Sequence, residues 1–328
     1  MEEASMMKAA VQTAYGPPDV VVIRDVPKPV PKDNEVLVRI AATTVTSGDA
    51  RLRAFRVPAA MWLPARLAIG ITGPRKAVLG SEFAGDIVAV GADVTRLAVG
   101  EKVFGMHVFG THAQFKAVPE TGAILPLPAG LSYGEAAALP FGALTALYFL
   151  RQANIVAGSR VLINGATGAV GAYAVQIAKH LGARVTAVCS AGNAELARSL
   201  GADVVIDYRA SDFSAGNARY DVVMDTVNTV SVRQFERVTE DNGILLAVDA
   251  GGGMFLQAGL HKLLGRRRIV AGMATEKLED LRTIAEMAAA GQIRPVIDRR
   301  VSLDEIASAH ALVDSGRKRG AVVVEVAD

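Results

Sequence analysis

The stretch Ser159-Arg-Val-Leu-Ile-Asn-Gly165-Ala-Thr-Gly168-Ala-Val-Gly171 decides the fold of this 328-residue chain. An apolar strand runs directly into three glycines spaced three residues apart, and an amphipathic helical pattern follows. Gly165 or Ala166 is expected to make the tight turn. Gly168 would let the backbone approach a pyrophosphate, and Gly171 would let the helix pack on the strand. Because a helix N-terminus offers free N–H groups to phosphates, the stretch predicts a dinucleotide-binding loop. The predicted loop consists of Ala166, Thr167, Gly168, Ala169, Val170 and Gly171.

The sequence around this loop alternates short apolar strands with helical patterns. The strand candidates are residues 160–163, 184–188, 203–206, 220–224, 244–248 and 268–271. The helix candidates are residues 169–181, 194–200, 230–240 and 276–290. Strands that are apolar along their length and separated by helices are typical of a parallel sheet covered on both faces. We therefore predict an α/β fold with a Rossmann-type, doubly wound parallel sheet.

The first third of the chain has a different pattern. Valine- and isoleucine-rich runs alternate with Gly/Pro turns, which favours a compact antiparallel barrel or sandwich. These runs are residues 7–13, 20–25, 35–42, 82–90 and 112–118. Residues 293–326 return to strands around one helix and are too few to bury a core alone, so they are expected to complete the first domain. The predicted domains are 1–138, 139–272 and a C-terminal return over 273–328.

Composition excludes several classes of function. Hydrophobic residues make up 51% of the chain and the net charge is only +2, so neither a nucleic-acid groove nor a polybasic membrane anchor is expected. The apolar stretch 57–79 is interrupted by prolines and charged residues, which favours a loop or helical lid over a membrane span. Within it, the apolar residues 59–71 are expected to line an acceptor pocket. The N-terminal residues lack a secretory pattern, and the single cysteine, Cys189, excludes an internal disulfide. A cytoplasmic protein is expected.

The residues after the second strand of the parallel sheet bear on cofactor choice. NAD sites usually place a carboxylate about 20 residues beyond the glycine turn to bind the ribose 2′-hydroxyl, and none is found there. Ser190 and Asn193 could instead donate to a 2′-phosphate, and Tyr208 could reach the same place. Arg198 or Arg209 would have to supply the positive charge. This pattern favours NADPH over NADH.

Several motifs resemble those of one enzyme superfamily. The run 161–179, the segment 199–208 (SLGADVVIDY), the segment 79–86 (LGSEFAGD) and the closing 316–323 (GRKRGAVV) closely resemble the medium-chain dehydrogenase/reductase superfamily. More specifically, they look like its zinc-free quinone oxidoreductase (zeta-crystallin-like) branch. The resemblance implies a GroES-like, β-rich catalytic domain beside the Rossmann domain, a homodimer or tetramer, and hydride transfer from NADPH. It assigns to cofactor binding Thr145, the loop 166–171, Ser190, Tyr208 and Lys318 or Arg319.

The chain departs from that superfamily where zinc-dependent members bind their metal. Cysteine and histidine, which zinc prefers, are replaced by Thr46 and Ser81, so no metal site is expected. Asp49 and Glu82 could be remnants of the metal site that form internal salt bridges or touch substrate. Arg51 stands where many quinone reductases carry a tyrosine, and its cation could polarise a substrate carbonyl. Thr46 and Arg51 are therefore the candidate catalytic residues.

The predicted activity is zinc-independent hydride transfer from NADPH to a quinone or an α,β-unsaturated carbonyl compound, a small apolar electrophile. No residue stands out as a general acid, so solvent is expected to protonate the product, and kcat should change little between about pH 6 and 8. Two alternatives remain open: a reductase or dehydrogenase of simple ketones or alcohols, and a catalytically vestigial NADPH-binding sensor or structural protein. His107 and His112 lack further metal ligands at suitable spacing and are expected to be loop histidines.

Overall fold

The computed structural model describes residues 5–57, 61–265, 267–272, 274–275 and 277–326. The chain divides into two compact units. The first comprises Met1–Phe141, Glu276–Ala289 and Pro295–Asp328, and the second comprises Gly142–Thr275 and Ala290–Arg294. The chain therefore leaves the first unit twice, first to build most of the second unit and then briefly over Ala290–Arg294.

The strands and helices follow one another along both units. The strands are β1 (Met6–Gln12), β2 (Val21–Pro27), β3 (Glu35–Thr44), β4 (Glu82–Val90), β5 (Lys102–Met106), β6 (Phe115–Pro119), β7 (Ala123–Pro126), β8 (Arg160–Asn164), β9 (Arg184–Cys189), β10 (Val204–Asp207), β11 (Tyr220–Asp225), β12 (Thr239–Ala247), β13 (Arg268–Ala271), β14 (Ile297–Ser302) and β15 (Ala321–Glu325). The helices are α1 (Ser47–Ala54), α2 (Trp62–Ile69), α3 (Tyr133–Ala137), α4 (Pro140–Arg151), α5 (Ala169–His180), α6 (Ala194–Ser199), α7 (Val232–Val238), α8 (Gly252–Leu263), α9 (Leu278–Ala289) and α10 (Ile306–Asp314).

The first unit is built on a mixed sheet with the order β14-β15-β3-β4-β5-β7, in which β6 also pairs with β3. The strands β1 and β2 form a separate antiparallel pair. Val36, Val38 and Ile40 of β3 point into one core with Phe83 of β4. Residues of β15 and α10 are buried in the same core, so the C-terminal segment contributes to the first unit.

The second unit is a six-stranded parallel sheet with the order β10-β9-β8-β11-β12-β13. In chain order this is 3-2-1-4-5-6, the doubly wound arrangement, and the direction of winding reverses between β8 and β11. Leu162, Val223 and Leu245 occupy its core at full burial, which explains why these strands are apolar along their whole length. The predicted doubly wound sheet and the β-rich first region are both confirmed.

Some predicted elements change their bounds. The strand expected over 112–118 is β6, which begins at Phe115, and β5 and β7 were not predicted. The helix expected over 230–240 is α7, which begins after a capping box between Ser231 and Gln234 and gives way to β12 at Thr239. Within the apolar stretch 57–79 the structure contains α2, while residues 58–60 lie outside the described residues. Over the described ranges, no helix combines the length and apolar character needed to cross a membrane.

Candidate functional site

The glycine turn between β8 and α5 has the geometry that its spacing predicts. Gly165 adopts φ +78°, a left-handed conformation that favours glycine, so Gly165 makes the tight turn rather than Ala166. A Cβ on Gly171 would lie 2.1 Å from the Gly165 carbonyl oxygen, so only glycine lets the helix approach the turn this closely. At Gly168 the nearest heavy atom to such a Cβ would be 3.4 Å away, so this position is open.

The helix that follows leaves its N-terminus accessible. Gly168 is the N-cap of α5 and has no side chain to satisfy the first N–H groups. Gly168, Ala169 and Val170 are half-buried, whereas Ala166 and Thr167 beneath them are buried. Uncapped N–H groups and the positive end of the helix dipole together favour an anion at this point. The loop therefore fits a pyrophosphate.

A buried hydrogen-bond network that sequence reasoning missed joins the ends of β8 and β11. Asn164 Nδ2 donates to Asp225 Oδ1 (3.0 Å) and to Thr229 Oγ1 (2.7 Å). Asp225 Oδ2 accepts from the N–H groups of Thr229 and Val230, each at 2.8 Å. Thr226 Oγ1 donates to the Asn164 carbonyl oxygen at 2.8 Å. The network fixes the loops that follow β8 and β11, at the point where the winding of the sheet reverses. The sequence does carry a signal for it, because each of these apolar strands ends in a polar residue, Asn164 or Asp225.

The residues predicted to bind a 2′-phosphate lie at the carboxyl ends of β9 and β10. These strands are neighbours and pair Cys189 with Asp207, which brings the following residues, Ser190 and Tyr208, to the same edge of the sheet. Tyr208 is 56% exposed. The guanidinium of Arg209 lies 5.7 Å from the Tyr208 ring centroid.

Asn193 connects this edge to the glycine turn. Its Nδ2 donates to Thr167 Oγ1 at 3.2 Å, so one side chain spans the two predicted parts of the cofactor site. Arg198 of α6 lies close enough to Cys189 for its charge to act on that thiol, although burial is the larger effect and raises the pKa of Cys189. The second unit therefore brings together the predicted loop, Ser190, Asn193 and Tyr208.

Thr145 is a half-buried polar residue in the middle of helix α4, between the apolar Leu144 and Ala146. Tyr148 lies one turn further along the same face and is also half-buried. A Cβ on Gly272, which follows β13, would lie 3.6 Å from the Tyr148 hydroxyl oxygen. Sequence reasoning identified Thr145 through the family resemblance and missed Tyr148.

In the first unit, the candidate residue Thr46 is held in a capping box at the start of α1. Asp49 Oδ2 accepts from the Thr46 N–H (2.8 Å) and from its hydroxyl (2.7 Å). The other carboxylate oxygen of Asp49 accepts from the Gly80 N–H at 3.2 Å. Both carboxylate oxygens of Asp49 are thus satisfied by hydrogen bonds at the start of α1. Arg51 lies on the next turn of α1 and is exposed.

Glu82 is a buried carboxyl group at the start of β4. Its Oε1 accepts from the Phe141 N–H at 2.5 Å, and its Oε2 bonds to the Thr44 hydroxyl. Burial raises the pKa of Glu82 to about 8, although hydrogen bonds from Thr44 and the Phe141 N–H oppose this effect. Glu82 therefore holds its proton at neutral pH, a property that the sequence did not reveal.

Lys318 and Arg319, predicted from the closing motif, interact with groups of the first unit. Lys318 Nζ donates to the Gly320 carbonyl oxygen at 2.6 Å. Burial lowers the pKa of Lys318 to about 8, while the charges of Glu82 and Asp298 act in the opposite direction. Arg319 Nε donates to Asp298 Oδ1 at 3.2 Å and remains half-exposed.

Comparison with known proteins identifies the class. Residues 32–160 match the family described as alcohol dehydrogenase GroES-like domain, and residues 200–324 match the family described as zinc-binding dehydrogenase. The chain is 33% identical to the 2-methylene-furan-3-one reductase of Solanum lycopersicum, covering 98% of this chain and 79% of that relative. It is 28% identical to the chloroplastic NADPH-dependent alkenal/one oxidoreductase of Arabidopsis thaliana, covering 97% of this chain and 79% of that relative.

A solved structure agrees with these relatives. The quinone oxidoreductase of Coxiella burnetii matches with a TM-score of 0.86 at 28% identity, covering 98% of this chain and all of the other. A GroES-like unit and a doubly wound sheet, together with these relatives, define an oxidoreductase of the kind that uses a nicotinamide cofactor. The chain belongs to the medium-chain dehydrogenase/reductase superfamily, in its quinone oxidoreductase branch, as its motifs indicate.

The zinc implied by the description of one matched family does not fit the residues of this chain. Thr46 and Ser81 carry hydroxyls where thiolate or imidazole ligands are needed. The Thr46 hydroxyl is bonded to Asp49, and both oxygens of Glu82 are bonded within the first unit. His112 is buried, and its Nε2 lies 2.9 Å from the Thr44 carbonyl oxygen. Within the described part of the chain, no three His, Cys, Asp or Glu side chains are grouped to hold a metal.

Proposed function

We propose that this protein is a zinc-independent oxidoreductase that transfers hydride from NADPH to a quinone or an α,β-unsaturated carbonyl compound. The observation that carries the proposal is the open glycine turn at Gly165–Gly171, placed where the winding of the sheet reverses. The relatives named as an NADPH-dependent alkenal/one oxidoreductase and a quinone oxidoreductase support both the cofactor and the acceptor class.

In this proposal the second unit binds and orients the cofactor. The N–H groups at the start of α5 hold the pyrophosphate, and Thr145 contacts the nicotinamide. Ser190, Asn193 and Tyr208 donate to the 2′-phosphate, and the charges of Arg198 and Arg209 stabilise it. NADPH supplies the hydride. Lys318 and Arg319 are assigned to cofactor binding on the family resemblance alone.

The first unit orients the acceptor in this proposal. The Thr46 hydroxyl donates its one proton to Asp49, so Thr46 is assigned to positioning the start of α1 rather than to a hydrogen bond with the substrate oxygen. The exposed cation of Arg51 stabilises negative charge that develops on that oxygen. The carboxyl group of Glu82 is bonded inside the unit, so solvent delivers the proton that completes the reduced product.

The remaining parts of the proposal concern organisation. Residues 139–272 form the dinucleotide-binding domain, and residues 1–138, completed by the C-terminal return over 273–328, form the catalytic domain. The protein acts in the cytoplasm as a homodimer or tetramer. These assignments rest on the family resemblance and on the absence of cysteine pairs from the sequence.

The test is NADPH oxidation with a small quinone and a panel of enones, with NADH in parallel. Ser190→Asp places a carboxylate beside the 2′-phosphate, so we expect kcat/KM for NADPH to fall by about 100-fold and that for NADH to change little. The same change at exposed Ser5 is the matched control and should alter neither value.

Other outcomes would replace the proposal. Turnover of saturated ketones without turnover of enones would indicate a ketone or alcohol dehydrogenase. Tight NADPH binding without turnover of any acceptor would indicate a sensor or structural protein. Equal loss with NADH and NADPH in Ser190→Asp would refute the assigned 2′-phosphate contact.

A further inference from the structure

The first unit contains a cavity of about 350 Å³, and its lining includes Ala68 and Ile69 of the stretch 59–71 that the sequence predicts to line an acceptor pocket. Its walls come from α1, the end of α2, the segment before β4 and the loop between β5 and β6. Leu52, Ile69 and Phe109 supply apolar surface, and Tyr15 lies among them. The volume is at the lower end of the range for ligand pockets, so the cavity suits a short chain rather than a large ring system.

Hydrogen bonds fix the walls of this cavity. The Tyr15 hydroxyl donates to the carbonyl oxygen of Ile69 at 2.9 Å and lies 3.3 Å from that of Gly70, which ties down the end of α2. The Arg75 N–H donates to the same Ile69 carbonyl at 2.9 Å. Gln12 N–H donates to the Ala77 carbonyl at 2.7 Å and anchors the segment that carries Arg75 to β1. The cavity is therefore preformed.

Backbone strain supports a binding role for this cavity. Phe109 has φ +66°, a left-handed conformation that large side chains rarely adopt, and this residue lines the cavity. Phe55, which ends α1, has φ +52° and packs edge-on against Tyr15 with ring centroids 4.9 Å apart. Such conformations are concentrated at functional sites, where the surrounding structure holds them in place.

The rim of the cavity is positively charged. Arg75 and Lys76 are exposed lining residues, and no carboxylate of the described residues lies within ion-pair distance of either. None of the lining residues is acidic. The charges of Arg66 and Arg75 both act on the Tyr15 hydroxyl, so these two cations lie near Tyr15, and Lys76 directly follows Arg75 in the chain. An apolar interior with a cationic rim complements a chain that ends in an anion.

We infer that this cavity binds the acceptor's tail: the preferred substrate is an enone with a short apolar chain that ends in a carboxylate or phosphate, which Arg75 and Lys76 hold at the rim. This inference rests on the proposed function for the identity of the reacting group. The cavity also lies close to the candidate catalytic residues. Leu52 follows Arg51 on α1 and lies about 9 Å along the helix axis from Thr46.

The first experiment compares matched substrates. A straight-chain enone with a terminal carboxylate, the same enone with a terminal phosphate, and the methyl ester of the carboxylate are assayed with NADPH. In Arg75→Gln/Lys76→Gln, we expect the preference for the anionic enones over the ester to fall by about tenfold, from the loss of two rim ion pairs. Arg24→Gln removes an exposed charge from β2 and should leave the preference unchanged.

The second experiment measures binding without turnover. Trp62 is the single tryptophan, and the Arg66 guanidinium lies 5.2 Å from its ring centroid and 4.6 Å from that of Tyr15, so Trp62 fluorescence reports on the cavity wall. Hexanoate and hexyl phosphate should change this fluorescence saturably, and hexanol should bind about tenfold more weakly. The affinity of straight-chain carboxylates should rise by about fourfold per added CH₂ until the cavity is full.

The two experiments separate the failure of each proposal. Saturable binding of hexanoate that depends on Arg75 and Lys76, in a protein without enone reductase activity, would support the cavity and refute the proposed function. Enone reduction with no preference for the anionic substrates, and no difference between hexanoate and hexanol, would overturn the inference and leave the proposed function standing. A preference for only the carboxylate or only the phosphate would identify which anion the rim selects.

Discussion

Replacing Glu82 by glutamine should change how the stability of the first unit depends on pH. Glu82 is only 2% exposed, and its carboxyl bonds to Thr44 and to the Phe141 N–H. Glutamine has the same shape, and its amide oxygen can accept from the Phe141 N–H while its NH₂ group donates to the Thr44 hydroxyl. The substitution therefore removes the titration and keeps the packing.

The size and sign of the effect follow from the pKa. Burial raises the pKa of Glu82 from 4.5 to about 8. Between these values the folded state holds a proton that the unfolded state has released, so the free energy of unfolding falls as pH rises. At 1.36 kcal/mol per pH unit, the full interval amounts to about 5 kcal/mol. Burial lowers the pKa of Lys318 from 10.5 to about 8. The free energy of unfolding that depends on Lys318 therefore falls as pH drops from about 10.5 to about 8, a range that lies above the one in which Glu82 titrates.

The assay is urea unfolding followed by the fluorescence of Trp62, which lies in the first unit. We expect the free energy of unfolding of Glu82→Gln relative to wild type to rise by about 3 to 5 kcal/mol from about pH 5 to about pH 8. Glu279→Gln, at an exposed position of α9, should show no such trend. A difference between Glu82→Gln and wild type that stays constant with pH would refute the argument that Glu82 is protonated in the folded protein.

Three further predictions concern other parts of the chain. Asp314 pairs with the fully buried Arg53 and with Arg56. Asp314→Asn should therefore lower the free energy of unfolding by about 3 kcal/mol in urea titrations. A loss below about 0.5 kcal/mol would show that the buried charge of Arg53 needs no partner. Burial, and to a smaller extent the charge of Asp207, raises the pKa of Cys189. A thiol reagent should therefore label Cys189 at least about 100-fold more slowly in the native protein than in urea. Equal labelling rates would refute the burial of Cys189. With NADPH and a neutral enone, kcat should stay within about twofold between pH 6 and 8; a single ionisation abolished by one Tyr or His substitution would identify a general acid.

The parallel sheet could be predicted because its signals are local. Strands such as β8 are apolar from end to end, and the glycines that follow need only their neighbours to show the turn. The strands β5 and β7 were harder to find because they are five and four residues long, too short for an alternating pattern to stand out. The start of β12 at Thr239 is decided by pairing with β11 rather than by local propensity.

The chemistry of the first unit could be predicted only in part. Family motifs identified Thr46, Ser81 and Arg51 by their positions in the sequence. A motif gives the residue type at a position but not the surroundings of its side chain. The pKa of Glu82 depends on burial by segments far along the chain, among them Phe141, and no spacing rule contains that information. The left-handed conformation of Phe109 likewise depends on how its loop is held, because phenylalanine itself gives no signal for it.

The return of the chain to the first unit has a consequence for the order of folding. The end of β3, residues 42–44, pairs with β15, where Thr44 lies opposite Val323. All six strands of the second unit's sheet are synthesised between these partners. On the ribosome, the first unit therefore completes its sheet only after the second unit's strands have emerged, and this edge of β3 waits unpaired until β15 leaves the exit tunnel. An exposed edge is a template for aggregation, so slow translation or early termination near the C-terminus endangers the N-terminal half of the molecule.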